Sequence, residues 1–116
     1  MIEVKDIQVL KSIMDHEFDD MLWHILSNIL GMYSKIVITE GYRDQLHSND
    51  LHGVIPVRAI DIRSWIYDNP EKIEQIINTR YTYDPQRPEY QCCVYHTTGH
   101  GMHFHIQVHP RTIFNR

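Results

Sequence analysis

The sequence predicts an α+β domain, with helical periodicity in its first third, short β-branched runs in the middle and a histidine-rich β-hairpin at the end. Ile7, Leu10 and Met14 are three and four residues apart, the spacing of an apolar helix stripe. Leu22, Ile25, Leu26, Ile29, Leu30 and Tyr33 repeat that spacing over a longer stretch. Asp19 and Asp20 suit the positive end of that second helix's dipole, and Gly31 marks its expected end. Lys35-Ile36-Val37-Ile38-Thr39 is short and β-branched, which predicts a buried strand leading into Glu40-Gly41-Tyr42-Arg43. Residues 44–56 are polar and end in Gly53 and Pro56, which predicts a long loop. A second strand is expected over Val57–Arg63, with Val57, Ala59, Asp61 and Arg63 on one face.

Asp68-Asn69-Pro70-Glu71 reads as a helix start, with Ile73, Ile76 and Ile77 as its apolar stripe. A proline-punctuated loop follows at 84–90. The last part reads as a hairpin: Tyr90 to His96, a turn through Thr97-Thr98-Gly99-His100-Gly101, then Met102 to His109. The expected architecture is therefore one domain over residues 1–116, a small antiparallel sheet with N-terminal helices and one inserted helix.

Composition removes several classes of function. A net charge of −4 gives no basic face for phosphates, so nucleic acid is not an expected partner. No apolar run approaches the roughly 18–20 residues that span a bilayer, so no membrane partner is expected either. Charge interrupts Met1-Ile2-Glu3-Val4-Lys5-Asp6, which argues against a signal peptide and for synthesis in the cytoplasm. Cys92 and Cys93 are adjacent and point to opposite faces of an extended strand, so a mutual disulfide is not expected.

Histidine is the outlier. There are nine, and His96, His100, His103, His105 and His109 fall in one short segment. Neutral imidazole is the commonest metal ligand and a general base near neutral pH. His103-Phe104-His105 puts two rings on the same face of a strand, where both can approach one ion. Asp61 lies between Ile60 and Ile62, and a buried carboxylate needs a cation or a partner, with Arg58 and Arg63 the local alternatives. His47 and His52 precede it in the loop, and either could reach its site. A loop histidine, Asp61 and the His-x-His pair supply three N/O ligands and leave a fourth position for water, the pattern of a catalytic zinc site.

Three segments together resemble a known family: Thr39-Glu40-Gly41-Tyr42-Arg43, then His52-Gly53 with Arg58-Ala59-Ile60-Asp61, then Gly101-Met102-His103-Phe104-His105. In that order they are similar to the zinc peptidases related to D-alanyl-D-alanine carboxypeptidase, which share a fold with the hedgehog signalling domain and the lysostaphin-type peptidases. The resemblance runs from about Ile36 to Pro110. It implies a hedgehog/DD-peptidase fold, with His52, Asp61 and His105 as zinc ligands. It further implies that His103 is the catalytic histidine and that Arg43 holds substrate and the developing oxyanion. His96, across the hairpin, is the candidate for a second stabilising donor. Eight residues separate His52 from Asp61, more than the family usually has, which keeps His47 as an alternative ligand. Where many members carry an acid three residues before the last ligand, this chain has Met102. Proton transfer then moves to His103, or the site lacks its base.

The expected activity is zinc-dependent hydrolysis of amide bonds in peptidoglycan peptides, as in a phage or prophage endolysin acting on the bacterial cell wall after release. The alternative is a non-catalytic zinc-binding module of a phage particle with the same fold.

Overall fold

The computed structural model describes residues 1–43, 51–99 and 101–115. His47 and His100 lie outside the described residues, so of the two loop histidines only His52 has a described position.

Among the described residues ten elements follow in order: β1 (Ile2–Val4), α1 (Ile7–Met14), α2 (Asp20–Tyr33), β2 (Ile36–Glu40), β3 (Ala59–Arg63), α3 (Pro70–Arg80), β4 (Tyr81–Thr82), β5 (Cys93–Thr97), β6 (Met102–Gln107) and β7 (Ile113–Phe114). A single 3₁₀ turn, Leu51–Gly53, precedes β3. The α+β class is as expected, but the sheet is mixed rather than antiparallel. Its order is β1-β2-β3-β6-β5, and β1 runs parallel to β2. The two helices between β1 and β2 form the long connection that a parallel pair requires. Three residues with Glu3 at their centre carry no periodic signal, which is why β1 is invisible in the sequence.

Helix starts follow their chemistry. The Asp19 carboxylate accepts from the backbone N–H groups of Met21 and Leu22, and Asn69 caps α3 with Pro70 in its first turn. The end of α2 differs from expectation: the helix continues through Gly31 and stops at Ser34, which takes the left-handed conformation at φ 66°. Buried Ile29 holds the last turns against the core and offsets the glycine penalty of about 1 kcal/mol. The α1 stripe is also corrected, because Ile7 and Met14 are exposed and Val9 is the residue it buries. Eight residues allow more than one stripe, and contact with the β1–β2 edge decides.

The strand expected over 57–63 begins at Ala59, since the Val57 N–H is taken by the Glu17 carbonyl at 2.7 Å. The hairpin is shorter at its outer ends than expected, Cys93–Thr97 with Met102–Gln107. Its turn uses Gly99 and Gly101 at φ 103° and 96°, values that favour glycine. A second, two-stranded sheet of β4 with β7 was not expected from the sequence.

Strand alternation separates the two faces of the main sheet. Ile38, Ile62, Phe104 and Tyr95 lie in one cross-strand row, with Ile60, Ile106 and Cys93 in the next. These residues join Leu22, Ile25, Leu26, Ile29, Ile73 and Ile77 in one core. The opposite face carries the polar rows, Glu40–Asp61–His105 and Arg63–His103–His96. Both cysteines are buried and free, as expected.

Candidate metal centre

Register brings the sequence-distant candidates together. Asp61 on β3 pairs with His105 on β6, and directly opposed residues have Cβ atoms about 4.5–5.5 Å apart. His52 arrives from the 3₁₀ turn, which two hydrogen bonds fasten to the segment after β2. The Arg43 N–H donates to the His52 carbonyl at 3.0 Å, and the His52 ring Nδ1–H donates to the Gly41 carbonyl at 3.0 Å. Gly41 is required at that point. A Cβ there would lie 2.6 Å from Ser12 Oγ and 2.8 Å from Ile13 Cγ1, so only glycine lets this backbone press against α1.

His52, Asp61 and His105 each offer one ligand atom within 4.8 Å of the others, and together they could hold a metal ion. His52 Nε2 is 3.3 Å and His105 Nδ1 3.0 Å from Asp61 Oδ1. Both nitrogens of each ring face oxygen acceptors, so with a metal ion among the three ligand atoms the ring protons fall to the outer nitrogens. A carbonyl oxygen only accepts, so the Gly41 contact then holds the proton on His52 Nδ1 and turns Nε2 toward Asp61. The Gln107 amide Nε2 donates to the Gln91 carbonyl at 2.8 Å, which directs Gln107 Oε1 at His105 Nε2, 3.0 Å away. That oxygen also accepts, so His105 Nε2 then carries the proton and Nδ1 faces Asp61.

In their neutral forms, two imidazole lone pairs and a carboxylate therefore face a common point. Three acceptors repel unless a cation lies among them, either an extra proton or a metal ion. Two neutral nitrogens and an oxygen make a borderline donor set suited to zinc and other first-row divalent ions. The remaining ring nitrogens are held by oxygen acceptors, as is usual for ligating histidines.

The electrostatics agree. Burial opposes a charge on His52, but its hydrogen bond to Asp61, the Asp61 charge, the Gly41 carbonyl and the Glu40 charge outweigh it and raise its pKa above 6.5. Burial likewise pushes the Asp61 carboxyl up, and the bonds and charges of His105 and His52 more than reverse it, leaving Asp61 well below the usual carboxylate range. The arginines nearest Asp61 in sequence are engaged elsewhere. Arg58 Nε is 3.7 Å from Asp19 Oδ2, and the Arg63 guanidinium lies 5.0 Å from the Trp65 ring centroid.

His103 stands beside the cluster, its Nε2 3.7 Å from Asp61 Oδ2, while its Nδ1 faces the Gly101 carbonyl at 3.4 Å. His96 is its cross-strand partner, with ring centroids 4.8 Å apart. Partial burial, then the charges of His103 and His105, lower the His96 pKa and favour its neutral form. Arg43 lines the same cavity of about 620 Å³ and is ion-paired with Glu40. Met102 follows Phe104 and Ile106 in the strand alternation, so an acid at this position would start from the face opposite His103 and His105.

Sequence reasoning missed Gln107 and the Gly41 carbonyl. Gln107 was within reach of it, since it lies two residues beyond His105 on one strand face. It also missed Tyr83, Arg87 and Tyr90, which line the cavity from the loop before β5. No protein-family model matches the chain, and no curated protein or solved structure matches it. Among the described residues no helix is long and apolar enough to cross a membrane.

Proposed function

We propose that this chain is a zinc-dependent peptidase of the D-alanyl-D-alanine carboxypeptidase type, with a hedgehog/DD-peptidase fold, that hydrolyses amide bonds in peptidoglycan peptides. The observation that carries the reading is the convergence of His52 Nε2, Asp61 Oδ1 and His105 Nδ1, with both ring tautomers set by outer hydrogen bonds. Among the described residues the set has three protein ligands, the count of a catalytic zinc site rather than a closed structural one.

When bound, zinc supplies Lewis acidity and brings the pKa of water to about 7. The chain's own residues supply the rest. His103 Nε2 is placed beside Asp61 without belonging to the three-ligand set, so it is free to take a proton from water and pass it to the leaving amine. Arg43, at the cavity wall, presents a guanidinium for a substrate carboxylate or the developing oxyanion. His96, favoured in its neutral form, adds a donor or acceptor on the far side of His103. In this reading the enzyme acts on the bacterial cell wall as a lysis enzyme does, after release from the cytoplasm.

The test has two parts. Untagged protein should contain about one zinc per chain after reconstitution, and purified peptidoglycan should release new amine ends only in its presence. A metal content near zero removes the reading. Zinc bound without turnover selects the second reading, a non-catalytic zinc-binding module of a phage particle.

A further inference from the structure

The Asp61 carboxylate has two oxygens, and the three-ligand cluster uses one of them. His52 Nε2 and His105 Nδ1 both approach Oδ1, at 3.3 and 3.0 Å. Oδ2 faces His103 Nε2 instead, 3.7 Å away. That is too long for a hydrogen bond and close to the separation of two ligands on one ion. With metal–ligand bonds of about 2.0–2.2 Å, a tetrahedral ion holds neighbouring donor atoms about 3.4 Å apart.

His103 has a second imidazole beside it. Its directly opposed neighbour on β5 is His96, and opposed residues of antiparallel strands have Cβ atoms about 4.5–5.5 Å apart. The two ring centroids lie 4.8 Å apart and the planes are tilted by 57°. Among the described residues the His96 ring has no hydrogen-bond partner; its ring neighbours are His103 and, at 6.1 Å, His105. With an ion at His103 Nε2, the proton of that ring falls to Nδ1, where the Gly101 carbonyl at 3.4 Å accepts it. The β5–β6 pair thus presents two imidazoles, and β3 adds a carboxylate oxygen. His96, His103 and Asp61 all line the cavity of about 620 Å³, through which an ion can enter.

We propose that a second divalent cation binds between His96, His103 and Asp61 Oδ2, with the Asp61 carboxylate bridging it to the ion held by His52 and His105. Two nitrogens and an oxygen suit zinc, copper(II) or cobalt(II). Paired ions in protein sites lie about 3.5–4 Å apart. The second ion binds more weakly, because two dications at that distance repel and one carboxylate serves both. Zinc at one equivalent therefore fills the first site, and excess zinc the second. Binding at this site does not depend on hydrolysis, whereas its consequence for turnover rests on the peptidase reading. An ion on His103 Nε2 takes the lone pair that would receive the water proton, so filling the second site stops the reaction.

The probes are zinc and copper(II), each titrated into untagged, metal-free full-length protein. Calorimetry with zinc should resolve two ions per chain, the second bound at least about tenfold more weakly. Copper(II) at two per chain should give the half-field electron paramagnetic resonance signal of a coupled pair, absent at one per chain. His96→Ala and His103→Ala should each keep the first ion, weaken the second by at least about tenfold and lose the coupled signal. If a variant fails to fold, the wild-type copper signal decides. One ion per chain at saturation, a second ion retained in both variants, or two copper ions without coupling overturns the proposal. On the peptidase reading, turnover should fall with the zinc dependence of second-site filling. Turnover undiminished with both ions bound overturns that consequence. Two coupled ions with no turnover at either stoichiometry leave the second site standing and remove the peptidase reading.

Discussion

Replacing Gln107 with leucine tests the hydrogen-bond chain that sets His105. In the wild type the Gln91 carbonyl orients the Gln107 amide at 2.8 Å, and the amide oxygen holds the His105 Nε2 proton at 3.0 Å. Leucine removes the acceptor, and the His105 ring becomes free to move its proton to Nδ1, the atom that faces Asp61. Zinc then has to displace that proton or wait for the rarer tautomer. Loss of such an outer partner typically weakens metal affinity about 10–100-fold, which is about 1.4–2.7 kcal/mol of binding free energy. Gln107 is half-buried, so water replaces part of the lost bonding, and the folding free energy should fall by no more than about 1 kcal/mol. Gln107→Glu retains an acceptor at Nε2 and should bind zinc at least as well as the wild type. The assay is competition with a chromophoric chelator, paired with nitrogen NMR of the His105 ring in metal-free protein. Zinc affinity of Gln107→Leu within twofold of the wild type, with His105 still protonated at Nε2, would refute the tautomer argument.

Further expectations concern the neighbours of that chain. Asp61→Asn keeps the shape but removes the only anion among the three ligand atoms, and metal analysis should show the zinc lost. His103→Ala should retain zinc and lose about 10²–10⁴-fold in turnover, the usual share of an acid–base group; loss of zinc would make His103 a ligand instead. Gly41→Ala forces a Cβ into Ser12 and Ile13 and should destabilise the fold by about 1–3 kcal/mol, read by chemical denaturation. Wild-type stability in Gly41→Ala would show that the close approach to α1 is not needed. In metal-free protein, pH acts on the His52–Asp61 pair in two directions. His52 binds its proton more tightly when folded, so its contribution is complete below about pH 6.5 and lost as pH rises through its raised pKa. Asp61, whose pKa is lowered, contributes above about pH 3.8 and loses that as pH falls. Metal-free Tm should therefore drop from pH 6 to 9 while the stabilisation by added zinc grows, because the metal no longer competes with the His52 proton. A metal-free Tm that rises over that range would contradict the assigned protonation.

Much of the fold was legible because local chemistry set it. Asp19 and Asn69 announce helix starts through their own side-chain bonds, and the spacing of Leu22, Ile25, Leu26 and Ile29 commits α2 to one buried face. His103 and His105 share a face because a strand has a period of two, whatever lies around it. The same rule would have placed Gln107 there. What the sequence could not contain is the identity of partners from other strands. Asp61 among Arg58, Arg63 and the loop histidines had several neighbours of suitable chemistry, and only the pairing of β3 with β6 selects His105. β1 escaped notice because three edge residues derive their conformation from β2 and not from their own composition. The α1 stripe was misassigned for a related reason, since eight residues fit more than one face and the packing of Val9 chooses. The direction of each imidazole depends on carbonyls and an amide oxygen from elsewhere in the chain, Gly41 for His52 and Gln107, oriented by Gln91, for His105. The residue types of the site were therefore fixed by the chain, but its protons were not, because a ring nitrogen is donor or acceptor only according to what faces it.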